Sequence, residues 1–306
     1  MKKTTYLIFS LLLLIVIAGC KKNVITMLGS SSGGAQIKLI HAAPGVPGLD
    51  AYVNNTKITP VTTVSVTDNA VLTSIVTGYT YQGVFPGSNY AVVTPGSTAI
   101  KIMASTPVPA LKSAQTVAAG ATVSSITQNT VAGGAYSVFT IGLPGAATNG
   151  LTSIVVQDNF PPAASGQAYI RLAYLIPNGA PVDLAGTYTP TGGAATTSTL
   201  VTNTPYGTVT NFVAVQCNPI STTTYTFQMY LTGTTTKVGS VSTGIALTPG
   251  RYYTIIGRGL VADYPVPGTS ITLKATARPT LPVTDPTTKY PEIYFNPPGL
   301  TFYTNQ

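Results

Sequence analysis

Acid–base chemistry could draw on few side chains: seven carboxylates (Asp50, Asp68, Asp158, Asp183, Asp263, Asp285, Glu292) and one imidazole, His41, in 306 residues. A glycosidase needs two carboxylates flanking the bond, about 5–9.5 Å apart. Asp50 and Asp158 are conceivable partners, but nothing in the sequence brings them together. A nucleophile–His–acid triad would need a serine in a strained strand-to-helix elbow, whereas Ser31 and Ser32 sit in a Gly/Ser tether. One His, one spare Cys and scattered acids fall short of the usual metal ligand sets. The expectation is therefore no catalytic residue, no metal and no cofactor.

The same residues have quieter uses. His41 shares a strand side with Ile37 and Leu39, which reads as a partly buried, hydrogen-bonded histidine. Asp50 and Asp183 each follow a Pro-rich turn and start a strand, where a carboxylate bonds backbone N–H groups of the turn. Cys217 ends the alternating stretch 211–217 on the side of Val213 and Val215, as a small buried hydrophobe. Tyrosines number 18 and tryptophan is absent. Tyr79, Tyr81, Tyr90, Tyr206 and Tyr264 lie near turns and are candidates for a contact surface toward a glycan or another envelope protein, or else caps on sandwich ends.

The elements that must hold these residues are strands. Thr, Val, Ile and Tyr suit pleated surfaces, and 30 Gly and 24 Pro supply turns. Charged residues make up 7%, and the net charge of +8 is spread thinly, with no run longer than Lys21–Lys22. A nucleic-acid binder concentrates Lys and Arg on one face, so that partner is excluded.

The N-terminus reads as an export signal: basic Lys2–Lys3, an apolar stretch over 7–18, then Ala18-Gly19-Cys20. The apolar run is too short to span a membrane, which takes about 20 residues. A Cys directly after the small pair resembles a bacterial lipobox. That resemblance implies cleavage after residue 19 and lipidation of Cys20, which becomes the membrane anchor. Lys21 rather than Asp after the Cys leans toward the outer membrane. Residues 20–35, with the Ser-Ser-Ser-Gly-Gly run, form a flexible tether.

Beyond the tether the chain repeats. Ile37, Leu39, Pro44 and Asp50 align with Ile170, Leu172, Pro177 and Asp183, and Lys38 meets Arg171. NYAVV (89–93) aligns with NFVAV (211–215), and Gly133, Tyr136, Gly142 and Leu143 with Gly250, Tyr253, Gly259 and Leu260. Three matches in one order predict one unit occurring twice, over 36–160 and 166–280, with an aromatic tail at 281–306 that docks rather than floats. Each copy has the size of an immunoglobulin-like antiparallel β-sandwich of about 100 residues. The predicted fold is all-β, two tandem sandwiches behind a lipoprotein signal peptide.

The stretch Ile37-Lys38-Leu39-Ile40-His41-Ala42-Ala43-Pro44, then Asp50-Ala51-Tyr52-Val53, and the later Gly133…Tyr136…Gly142 strand resemble the domain-of-unknown-function family 4397. The resemblance covers about residues 36–280. It implies a secreted or anchored bacterial β-sandwich, often in tandem, with no established reaction. The second copy departs from it, since Tyr174 stands where the first has His41. Together these features predict a non-catalytic, lipid-anchored envelope protein acting as a binding or scaffold module. The alternatives are an envelope hydrolase acting on glycan and a subunit of a larger surface assembly.

Overall fold

Two kinds of strand recur in the chain. In Gly96–Ala104 every second residue from Thr98 on is buried, as in a sheet with one wet face. In Ala135–Ile141 every residue is buried, and in Ala35–His41 and Gln167–Tyr174 all but one, the signature of a sheet covered on both faces. A computed structural model shows how the two kinds are layered. It describes residues 33–69, 71–190, 192–279 and 292–306. The expected signal peptide, Cys20 and the rest of the expected tether up to residue 32, and residues 280–291, lie outside the described residues.

The first half runs β1 (Ala35–His41), β2 (Leu49–Val53), β3 (Thr56–Lys57), β4 (Thr62–Asp68), β5 (Val71–Thr77), β6 (Val84–Phe85), β7 (Ala91–Val93), β8 (Gly96–Ala104), β9 (Thr122–Thr130), β10 (Ala135–Ile141), β11 (Thr152–Gln157). The second runs β12 (Gln167–Tyr174), β13 (Val182–Tyr188), β14 (Thr196–Thr204), β15 (Thr208–Val209), β16 (Val213–Gln216), β17 (Thr223–Leu231), β18 (Lys237–Val238), β19 (Ile245–Leu247), β20 (Tyr252–Arg258), β21 (Tyr264–Pro265), β22 (Thr272–Leu273), β23 (Gly299–Thr304). Among the described residues there is no α-helix, only a 3-10 turn at Glu292–Tyr294. The chain is all-β, with sheets paired as in β-sandwiches.

Each half has an outer and an inner sheet. The outer sheets run β3-β2-β8-β9 and β14-β13-β17-β18, all antiparallel. The inner ones run β11-β10-β1-β6 and β15-β12-β20-β23. Their central pairs, β1 with β10 and β12 with β20, are parallel, so the inner sheets are mixed rather than purely antiparallel. The aromatic tail enters the second inner sheet as β23, pairing Tyr253–Arg258 just as β11 pairs Tyr136–Ile141. Both strands β10 and β20 end on a glycine in the left-handed region, Gly142 and Gly259. A Cβ at either site would collide with a backbone carbonyl of the returning chain, Gly150 O or Pro297 O.

Odd and even positions of the inner strands face different cores. Ile37, Leu39 and Val138 meet Leu49, Ala51, Ile100 and Ile102 inside the first sandwich. Ile170, Leu172 and Ile255 meet Val182, Leu184, Phe227 and Met229 inside the second. The intervening positions, Ile40, Phe139, Ile141, Ala173 and Ile256, pack the two inner sheets back to back. Burying such side chains stabilises by roughly 1.5–3 kcal/mol each.

A buried polar cluster crosses this seam. The carboxylate of Asp158 lies 2.5 Å from Arg171 Nη2 and accepts hydrogen bonds from Tyr90 (2.6 Å) and Ser137 (2.8 Å). Arg171 also donates to Thr254 Oγ1 (2.9 Å) and lies over the Phe212 ring. Lys38 donates to Thr304 O (3.0 Å) beside the rings of Tyr90 and Tyr303. Burial pushes Lys38 down to about 8, against the pull of Asp158. The linker is held as well: Tyr252 donates to Pro161 O, and Phe160 packs on Phe212 and Tyr252.

Candidate functional site

An apolar cleft of about 480 Å³ lies in the first half. One wall is the hairpin β4–β5, a two-stranded ribbon separate from both sheets. Its sequence alternates, and the register pairs Val64 with Ile75, so Val64, Val66 and Ile75 share a face. All three line the cleft, with Leu111 and Gln115 opposite. The second half contributes Ile293 and Phe295, from the long excursion between β20 and β23.

Local bonds hold these walls. Asp68, at the hairpin end, accepts from the backbone N–H of Lys112 and Ser113 and from the Ser113 hydroxyl, at 2.7–3.0 Å. Desolvation opposes ionisation there, but these donors outweigh it and hold the carboxyl below its ordinary value. The segment carrying Leu111 and Gln115 is thereby tied to the hairpin. Arg278 donates to Thr67 Oγ1 (2.8 Å), and Tyr294 donates to Ala114 O, fastening the excursion to the same walls.

Gln115 donates through Nε2 to Ser113 O (3.0 Å), while its Oε1 is buried without a partner. A buried acceptor left unpaired costs about 1–3 kcal/mol, so a guest with an O–H or N–H would gain by meeting it. The lining residues described carry no carboxylate, ammonium, guanidinium or imidazole. The cleft can hold an uncharged, chiefly apolar guest with a hydrogen-bond donor.

His41 lies beneath this cleft rather than in its lining. It is fully buried, its Nε2 is 3.0 Å from Pro47 O, and its ring meets Tyr79 and Tyr81 edge-on. A carbonyl partner requires the proton on Nε2. Burial pushes the imidazole down to about 4, so it is neutral at pH 7. In the second half Tyr174 holds the matching loop, donating to Ala180 O at 2.8 Å. Both side chains tie down the turn that follows the first inner strand.

The other sequence-derived candidates are dispersed. Tyr79 is buried under the cleft, Tyr81 lines it, and Tyr90 is buried in the seam. Tyr206 packs half-buried between the inner sheets, and Tyr264 donates to Pro144 O (3.1 Å). Asp50 pairs with Lys57 at 2.9 Å. Asp183 accepts from the N–H of Gly233 and Asn203, which hold its carboxyl below the ordinary value. Those donors belong to neighbouring hairpins rather than to its own turn. Cys217 is a free thiol buried in the second core. Among the described residues no three His, Cys, Asp or Glu side chains gather as a metal site would require, and no helix is long and apolar enough to cross a membrane. Sequence reasoning missed the cleft-lining residues of β4 and the excursion; the alternation of Val64 and Val66 was the available signal.

Residues 35–185 match the profile of a family described as Domain of unknown function (DUF4397). The matched span covers the first half, with the cleft's hairpin, and runs into β13. No curated protein matches the chain. Among solved structures, the chain is similar to a candidate cell adhesion protein from Bacteroides fragilis NCTC 9343, at 8% identity over 89% of this chain and 98% of that one. The TM-score is 0.22, and at that value the likeness carries no argument.

Proposed function

Taking the match of residues 35–185 to a family of undefined function as the premise, we propose that this chain is a non-catalytic, lipid-anchored binding module of the cell envelope, built from two copies of one sandwich unit. Its ligand site in this reading is the cleft under β4–β5. The observation that carries it is the lining: apolar walls interspersed with neutral hydroxyls and amides, no side chain ionised at pH 7 among the described residues, and an orphaned acceptor in Gln115. Such a site offers recognition, through apolar contact and a single directed hydrogen bond. The anchor is Cys20, and the tether lets the body reach ligand away from the membrane surface.

The test exploits the lack of tryptophan in the chain. Phe295→Trp in a chain begun at residue 31, which keeps every described strand, places a lone tryptophan, excited selectively at the red edge beyond tyrosine absorption, in the cleft wall. Octanol should shift its emission, while octanoate and octylammonium bind at least about tenfold more weakly, because an unpaired charge is costly to bury. Gln115→Leu should weaken octanol about threefold to tenfold. Equal binding of the charged analogues, or no response to octanol, would remove the cleft as the site.

A further inference from the structure

The second half carries a separate groove of about 580 Å³ at the end of its outer sheet, between the exit of β13 and the entry of β17. Its lining is chemically unlike the cleft. It is dominated by threonines, with Ser221, Gln216 and Asn218, and holds no charged residue. In it stands Tyr188, the outermost of three stacked rings. Phe227 is buried in the core, Tyr225 packs on it at 5.8 Å between centroids, and Tyr188 packs on Tyr225 at 4.8 Å. The stack fixes the plane of a half-exposed aromatic at the groove.

Asn218 at the edge of the groove is held by local bonds. Asn218 accepts the N–H of Ile220 on Oδ1 (3.0 Å) and donates its own backbone N–H to Thr223 Oγ1 (2.8 Å), which fixes the side chain that lines the groove. We propose that this groove binds a neutral carbohydrate, a pyranose ring stacking on Tyr188 with its hydroxyls meeting Asn218 and the surrounding threonines. A sugar ring presents a C–H face, which an aromatic covers, and a rim of hydroxyls, each needing a partner once water is displaced. A lining without Lys or Arg selects against carboxylated and phosphorylated sugars. This site stands apart from the cleft, on other residues and another ligand class.

The test uses the full chain in a polyoxyethylene detergent, which carries no sugar headgroup. Maltose, cellobiose and N,N′-diacetylchitobiose are probed by saturation-transfer NMR at up to about 10 mM, a range that captures affinities of weak single sites. At least one should show transfer. Tyr188→Ala should weaken it about tenfold or more, about 1.4 kcal/mol, and Tyr188→Trp should keep it. Should Tyr188→Ala not fold, Thr222→Trp at an exposed position blocks the groove instead and should abolish the signal. No transfer from any of the three, a signal indifferent to the folded variants, or glucuronate bound as tightly as glucose overturns the proposal.

Discussion

The seam between the inner sheets shows the two halves solving one problem with different residues. Lys38, Tyr90, Ser137 and Asp158 face Arg171, Phe212, Thr254 and Asn305. The positions correspond: Lys38 is in register with Ser137 and Arg171 with Thr254. The N–H of Asp158 donates to Ala135 O, and that of Asn305 donates to Tyr252 O. Yet only the first half has the acid. Asn305 Nδ2 donates to Tyr90 Oη (3.0 Å) and lies 3.4 Å from Asp158 Oδ2. A second carboxylate there would face the first across a dry gap, and one of the two would stay protonated. At this seam a symmetric sequence is thus the worse one, and two cations share a single anion.

The largest effect should come from removing what completes the second half. Deleting 299–306 uncovers the β20 edge and takes away Asn305 and the Tyr303 hydroxyl, and cooperative unfolding by circular dichroism should be lost. Next, Asp158→Leu leaves Arg171 buried without its partner and should cost about 3–5 kcal/mol in urea titration. The double change Asp158→Leu with Arg171→Leu should recover much of that loss; a double variant no better than the single breaks the account of the seam.

His41 gives the third prediction. Its folded value of about 4 lies below the ordinary 6.5. Between those values the unfolded chain binds more protons, so stability rises with pH through the window and is lost as pH falls from about 6.5 toward 4. The loss should be on the order of 3 kcal/mol. His41→Tyr, which copies Tyr174 of the other half, should flatten the profile in urea midpoints measured across that range. The smallest effect is expected from Asn305→Asp, about 1–2 kcal/mol of destabilisation near pH 7 that shrinks as acid protonates the pair. A variant more stable than the parent at pH 7 would refute the crowding of charge at the seam.

The all-β class was legible from composition, and the shared left-handed strand ends at Gly142 and Gly259 from their matched positions in the sequence. The docking of the tail was legible in its aromatics. Three features escaped. The inner strands were read as ordinary sandwich strands, although runs such as Ala135–Ile141 carry apolar residues on both faces and so require a cover on each. The cleft escaped because its walls come from residues far apart, Val64 and Leu111 in one half and Phe295 in the other, and no local pattern joins them. The polar seam was hidden for the same reason: Lys38, Arg171 and Asp158 look like scattered surface charges until the sheets close over them.

The first strand has a mechanical consequence. Residues 36–41 lie in register beside 135–140 in a parallel pair at the middle of a sheet. A pull on the chain before Ala35 runs along β1 and meets those rungs in shear, all strained together, whereas a hairpin peeled from its open end breaks one rung at a time. Rupture under load follows the unfolding rate, so a load applied at Ala35, as the proposed anchor on Cys20 would apply it, meets many bonds at once.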